Sequence, residues 1–264
     1  MMTFITLGPV LLLILEDFLL WIFIRRQFIN HRKALPGELP RVTVFVPARN
    51  EEARLPACLE ALAALDYPED KIQMIVADDQ SNDQTPRIMR EWVGKHSYRH
   101  FIQIQPGNMR GINGKANALS QMDKAATGEF YFFTDADSAV NPGWIREMLA
   151  VFDRGVGLAS GITAVRAGAF FATMQSIDWW LNLGIVKVTS DLGHSLTAMG
   201  NNMVVSKQAY WAVGGFGNLP FSVTEDLALG QAILQKGFRL VQQVSARSLI
   251  LTKPENNLKD LLRQ

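Results

Sequence analysis

The sequence is poor in the groups that usually announce a metal centre or a covalent nucleophile. Cys58 is its only cysteine, so no disulfide can close within the chain and a reducing compartment is favoured. A zinc site built on thiolates is excluded for the same reason. Charge of one sign is also lacking: 26 Lys and Arg face 25 Asp and Glu, a formal net charge of +1. That balance argues against a general polyanion binder and gives nucleic acid no support as a partner. The four histidines, at 31, 96, 100 and 194, show no metal-ligand spacing and read as structural. No Gly-x-Ser-x-Gly elbow occurs, which leaves a serine hydrolase unsupported. There is no internal repeat and no low-complexity tract. The 264 residues suit one large domain or two small ones with ample core.

What is present begins with an apolar run, Phe4 to Ile24, about as long as a helix needs to cross a hydrocarbon core of roughly 30 Å. Glu16-Asp17 interrupts it, at a cost that requires an interface, a partner helix or a surface-lying segment. The run reads as a single-pass membrane anchor, with a buried helix as the competing reading. Arg25, Arg26, Arg32 and Lys33 follow it, and the positive-inside tendency then puts the rest of the chain in the cytoplasm. Leu35-Pro36-Gly37-Glu38-Leu39-Pro40 reads as a linker.

From Arg41 onward, short apolar runs alternate with helical stretches. Val42 to Val46, Ile72 to Ala77, Phe101 to Gln105 and Phe130 to Thr134 predict buried strands. Glu51 to Leu65, Arg87 to Val93 and Asn113 to Lys124 predict helices, and Thr85-Pro86 and Asn141-Pro142 read as caps with a first-turn proline. The alternation predicts an α/β fold whose parallel sheet is covered on both faces, with ligands at the carboxyl ends of the strands. After Gly155 the pattern loosens. Phe170, Met174, Ile177, Leu181 and Ile185 recur at helical spacing, which predicts a core helix ahead of one resting on a membrane surface. Ser206 to Val213 and Thr224 to Lys236 predict two more helices, the second stopped by Gly237.

Three predicted strands end in polar tips. The first runs into Pro47-Ala48-Arg49-Asn50-Glu51-Glu52, the second into Asp78-Asp79 with Asp83 nearby, and the fourth into Asp135 and Asp137. Residues i and i+2 of a strand point to one side, so Asp135 and Asp137 can share a hard divalent cation that completes its shell with water and phosphate oxygens. Either acid could alternatively belong to a turn. Adjacent acids such as Asp78-Asp79 can accept hydrogen bonds from a base edge or a ribose, or simply shape a turn. Lys115, at a helix start, can neutralise a diphosphate, but its surroundings lack the spacing of a Walker P-loop. Glu225-Asp226 sits in a first helical turn, where the macrodipole alone explains two acids and where one could also act as a general base.

Taken in order, VPARNEE, DDQSNDQT, GKANAL, FTDADS, the GNN segment before GGF, and TEDLALG resemble the family-2 glycosyltransferases, from about Arg41 to the end. The resemblance implies a GT-A fold, Rossmann-like, here preceded by a transmembrane helix. It also implies inverting transfer from a nucleotide-sugar, usually a UDP-sugar, to a hydroxyl of a membrane lipid or polysaccharide. Pro47, Arg49, Glu51, Asp78, Asp79, Lys115 and Asp135 fall on the donor side. Asp135 and Asp137 match the motif for magnesium or manganese, and Asp226 matches the catalytic base. Gly200, Asn201, Glu225 and Gln264 fall on the acceptor side. The implied division is anchor and basic flank 1–33, linker 34–40 and catalytic domain 41–264, split into a nucleotide-sugar half 41–140 and an acceptor half 141–264. Many members carry Gln-x-x-Arg-Trp after the TED helix. The chain stops where that glutamine, Gln264, would begin the motif, so truncation there is expected. The rival readings are a nucleotidyltransferase and a nucleotide-sugar-binding scaffold without turnover.

Overall fold

The computed structural model describes residues 2–35, 37–106, 114–195 and 197–254. Gln264, Pro36 and Asn113 lie outside the described residues, and with them the proposed start of Gln-x-x-Arg-Trp. The described residues fall into two compact units: those in 2–30, 165–195 and 253–254 form one, and those in 31–164 and 197–252 the other.

The larger unit is built on a seven-stranded sheet. In chain order its strands are β1 (Val42–Ala48), β2 (Ile72–Asp78), β3 (Arg99–Gln103), β4 (Phe130–Phe133), β5 (Val156–Ser160), β7 (Met203–Ser206) and β8 (Arg239–Gln242). Their order across the sheet is β3-β2-β1-β4-β7-β5-β8. The β1/β2, β1/β4, β2/β3 and β5/β8 pairs are parallel, whereas β7 runs antiparallel to both β4 and β5. A two-stranded sheet pairs β6 (Ile162–Val165) with β9 (Leu249–Thr252). The predicted mostly parallel α/β architecture is therefore present, although β3 begins two residues earlier than its apolar run.

Helices α2 (Leu55–Ala63), α3 (Thr85–Val93) and α5 (Trp144–Leu149) belong with one face of the sheet, where Val44, Val46, Met74, Val76 and Phe132 meet Leu59, Met89 and Trp144 in a single cluster. Phe45, Ile75, Tyr131 and Phe133 point the other way. They pack with Leu119 of α4 (Gly114–Met122), Tyr210 of α7 (Lys207–Ala212) and Leu229 of α8 (Glu225–Gln235). Two-residue alternation along strands buried on both sides produces this division.

Two predicted caps differ in detail. Thr85 is the first residue of α3, its N–H donating to Asp83 Oδ1, because Asp83 reaches forward two residues as turn aspartates do. Gly143 is the N-cap of α5, and its N–H donates to Asn141 Oδ1. Ser206 caps α7 through a bond from the Ala209 N–H, and Gly237, at φ +85°, follows α8 as expected.

The smaller unit contains α1 (Met2–Gln27) and α6 (Phe170–Asp191), packed against one another. At Gly184 a Cβ would lie 3.0 Å from Leu20 Cδ2, so the two helices approach closely there. Between the helices are polar groups: Lys187, 4% exposed, donates to the Ile29 carbonyl and pairs with Asp191. Burial pushes the Lys187 ammonium down. Phe170, Met174, Ile177 and Leu181 are exposed, as are most apolar residues from Val10 to Ile24. The predicted core stripe of α6 is thus corrected, since periodicity marks an apolar face without saying what it meets. Among the described residues no helix is long and apolar enough to cross a membrane. The expected single-pass anchor is accordingly not supported: a helix forms there, but Glu16 and Asp17 lie within it and Arg25 and Arg26 close it.

Candidate active site

The carboxyl ends of β1, β2 and β4 share one edge of the sheet because the three strands are parallel. There a cleft of about 280 Å³ is lined by Pro47, Arg49 and Glu51 after β1, Asp79 after β2, Lys115 and Ala118 of α4, and Asp135, Ala136 and Asp137 after β4. Segments separated by up to ninety residues thus meet as the three polar strand tips predict. Asp135, Ala136 and Asp137 all line the cleft from the turn that follows β4, so the turn and not strand alternation presents both acids.

Asp78 does not line this cleft. It is 1% exposed, and its carboxylate accepts from Gln103 Nε2 at 2.6 Å and from the Ser81 N–H at 3.4 Å. Successive residues at a strand end point to opposite sides, so of the Asp78-Asp79 pair one turns inward and the other outward.

The loops after β1 and β2 are tied by reciprocal bonds. The N–H groups of Asn50, Glu51 and Glu52 donate to Ser81 Oγ (2.8 Å), Thr85 Oγ1 (2.8 Å) and Asp83 Oδ2 (3.1 Å). In return the N–H groups of Asn82 and Gln84 donate to Asn50 Oδ1 and Glu52 Oε2, each at 2.8 Å. Asn50 and Gln80 hold φ of +56° and +59°, a left-handed conformation that asparagine tolerates better than most residues and glutamine adopts at some cost. Sequence reading took this stretch as a turn; the two-way pairing was not visible in it.

Lys115 crosses the cleft. Its ammonium stands 2.6 Å from Asp135 Oδ1 and 3.5 Å from Glu225 Oε1, at the first turn of α8. Burial alone would push that ammonium down, but Asp135, Glu225 and Asp226 more than offset it and hold it above the usual lysine range. Glu51 is pushed up, chiefly by burial, with Asp137, Asp135 and Asp83 adding to the effect and Arg54 opposing it. Cys58 lies beneath β4, its Sγ 3.5 Å from the Asp135 carbonyl, and burial raises its thiol to about 12. A thiol so protonated is no nucleophile.

Asp226 is not among the residues lining the cleft, but it follows Glu225 and shares the field of Lys115. Its Oδ2 accepts the Gly200 N–H at 2.7 Å and its Oδ1 the Leu227 N–H at 2.8 Å. Burial raises its carboxyl more than these two donors lower it. A Cβ on Gly200 would lie 2.9 Å from Asp226 Oδ2, so the glycine is what permits this contact. Asn201 accepts a bond from the Thr163 hydroxyl at 2.9 Å. Its neighbour Asn202, the last residue of the GNN segment, is structural. Fully buried, it accepts from Trp144 Nε1 and donates to the carbonyls of Ile162 and Ser248.

Among the described residues no group of three or more His, Cys, Asp or Glu side chains closes around one point as a metal site. The donor set here is instead a pair of carboxylates at an open strand end. That composition fits magnesium or manganese, which are commonly held by one or two carboxylates with phosphate oxygens supplying the rest, and does not fit a closed all-protein cage.

Residues 40–264 match the family described as glycosyltransferase like family 2. The chain belongs to this family. Among curated relatives, this family-2 glycosyltransferase is 27% identical over 203 residues to the beta-monoglucosyldiacylglycerol synthase of Trichormus variabilis, covering 76% of this chain and 42% of that one. It is 23% identical over 215 residues to the poly-beta-1,6-N-acetyl-D-glucosamine synthase of Staphylococcus epidermidis, covering 79% of this chain and 50% of the relative. The chain spans half or less of these relatives' lengths. A mannosyltransferase from Pyrobaculum calidifontis, solved in complex with GDP-Man and Mn2+, has a similar fold. The TM-score is 0.73 at 23% identity, over 94% of this chain and 67% of that one. The fold is thus GT-A-like.

Proposed function

We propose that this family-2 glycosyltransferase moves a sugar, with inversion, from a nucleotide-sugar to a hydroxyl of a lipid or polysaccharide, a UDP-sugar being the first donor to try. The observation that carries the reading is the convergence of Arg49, Glu51, Asp79, Lys115, Asp135 and Asp137 on one cleft, with Asp226 next in sequence to the Glu225 that pairs with Lys115. The names of the relatives, a glucosyldiacylglycerol synthase and a poly-N-acetylglucosamine synthase, support an acceptor of that kind.

In this mechanism Arg49, Glu51 and Asp79 hold the base and ribose against the wall formed by the tied loops, with Pro47 beneath. Asp135 and Asp137 would hold magnesium or manganese, which when bound would supply positive charge to the diphosphate. Lys115 adds a second positive charge as the leaving group gains its negative charge. Asp226 takes the proton of the acceptor hydroxyl while that oxygen forms its bond to the anomeric carbon. The bond from the anomeric carbon to the diphosphate oxygen breaks with its electron pair, and a nucleoside diphosphate departs. One base suffices, and no protein nucleophile is needed for inversion. Burial suits Asp226 to the task by raising its basicity. Gly200, Asn201 and Glu225 border the acceptor side of the base.

The exposed apolar residues of α1 and α6 in the smaller unit support contact with a lipid surface, the two helices lying in the interface. The test of function has two arms. Protein is incubated with labelled UDP- and GDP-sugars and membrane lipid extract, and UDP affinity is measured with and without Mn2+ for wild type and Asp137→Ala. Transfer of label, and a metal-dependent affinity that collapses in the variant, are expected. Release of pyrophosphate would replace this reading with nucleotidyl transfer, and tight metal-dependent binding without turnover by the full-length protein would replace it with a scaffold.

A further inference from the structure

Lys115 stands where two demands on Asp135 conflict. Its ammonium is 2.6 Å from Asp135 Oδ1, within a strong charge-assisted bond, and its other partner is Glu225, whose side chain is only 13% exposed. A divalent cation that used Asp135 would meet this positive charge at close range, and the two would repel. The diphosphate resolves the conflict, since it carries enough negative charge to take the ammonium and a cation together. The lysine has the reach to change partners: it lies in the first turn of α4, on a flexible four-carbon stem, and its side chain keeps 31% of its exposure.

We propose that Lys115 is a resident counter-ion that neutralises Asp135 and Glu225 in the donor-free protein and releases Asp135 only when a diphosphate arrives, so that metal and nucleotide bind as a coupled unit. The proposal rests on reading Asp135 and Asp137 as the metal ligands. It assigns Lys115 two successive partners, first the carboxylates and then the phosphate oxygens. It also gives a reason for Glu225. This acid leads α8 beside Asp226, so the lysine bridge ties the strand end that holds the metal to the helix that holds the base. Departure of the ammonium toward a diphosphate would break its contact with Glu225 at the moment the donor is seated.

The experiment is a Mn2+ titration followed by the electron paramagnetic resonance of free Mn2+, on wild type, Lys115→Met and Asp137→Ala, with and without UDP. Lys115→Gln serves as a second, polar replacement, and thermal melts check that each variant folds. In wild type, Mn2+ alone is expected to bind weakly and UDP to tighten it strongly. In Lys115→Met, Mn2+ alone should bind about tenfold tighter or more, because the competing charge has gone, while the gain from UDP shrinks. Tighter binding of Mn2+ alone together with a smaller gain from UDP is the signature. If neither lysine variant binds Mn2+ alone more tightly than wild type, the counter-ion role is overturned while the metal reading stands. If Asp137→Ala binds Mn2+ with UDP as well as wild type does, the metal reading itself falls.

Discussion

Gly200→Ala is the substitution whose consequence the geometry states most sharply. A methyl there would sit 2.9 Å from Asp226 Oδ2 and 3.2 Å from its Cβ, with the Gly200 N–H donating to the same oxygen at 2.7 Å. Both atoms belong to the proposed base, so relief requires the carboxylate to move by a few tenths of an ångström and its bond to lengthen or break. A hydrogen bond to a charged group is worth about 1.5–3 kcal/mol, and misplacing a reacting group by about 1 Å costs on the order of a hundredfold. We therefore expect kcat to fall by about ten- to a hundredfold, with UDP affinity unchanged because the donor cleft is untouched. The pH profile carries the second half of the prediction. Burial already raises the Asp226 carboxyl and the Gly200 N–H opposes it, so losing that donor raises the carboxyl further. The base must be ionised, and activity is lost as pH falls through its pKa, so the acid limb of the kcat profile should move to higher pH. Steady-state transfer assays from pH 4.5 to 8.5 with calorimetric UDP binding decide it. A folded variant with kcat within twofold of wild type and an unmoved acid limb refutes the reasoning.

Asp226→Asn should reduce transfer by about 10²–10⁴, the usual worth of a general base, and leave donor affinity intact. Its stability has a defined sign: a carboxyl raised on folding stabilises the protein below its unfolded pKa, and that contribution is lost as pH rises through the folded value. Asparagine removes that pH dependence but offers one acceptor oxygen to the two N–H groups of Gly200 and Leu227, so the variant should melt lower than wild type by an amount that is smaller at pH 7 than in acid, and a deficit that is larger at pH 7 contradicts this. Asn202→Ala strands the Trp144 indole N–H and the Ile162 and Ser248 carbonyls, and should destabilise by about 3 kcal/mol or more in urea unfolding. An effect below about 1 kcal/mol would mean that water replaces it. Ile177→Asp with Trp180→Asp places charge on the exposed face of α6 and should weaken co-sedimentation with anionic lipid vesicles several-fold. Unchanged sedimentation removes that face from lipid contact.

The part of the fold nearest the cleft was legible because β1, β2 and β4 are buried on both sides and read as mostly apolar runs followed by polar tips. β5 to β9 were not: they are four or five residues long, contain Gly, Ser, Thr, Arg and Gln, and are stabilised by neighbours distant in sequence. The reversal of β7 between two strands is a tertiary choice that no local pattern records. Asp135, Asp137, Asp79 and Lys115 come together as the polar strand tips predict, whereas Asp78, the last residue of β2, turns inward by strand alternation. Gly200 came from motif order alone; its closeness to Asp226 is a contact across 26 residues that composition cannot show. In α6 the apolar period was plain, but Lys187 and Asp191 were the residues that told inside from outside.

The cross-stitched loops carrying Asn50 and Ser81 bear on how donor choice could change in descendants of this chain. Because each loop terminates the other's N–H groups, neither can gain or lose a residue without stranding several donors at once. Insertions are therefore a poor route to a new nucleotide, and single side-chain exchanges at Arg49, Glu51 or Asp79 are the accessible one. The wall is stiff before any donor arrives, which makes its selectivity a property inherited by substitution and guarded against changes in length.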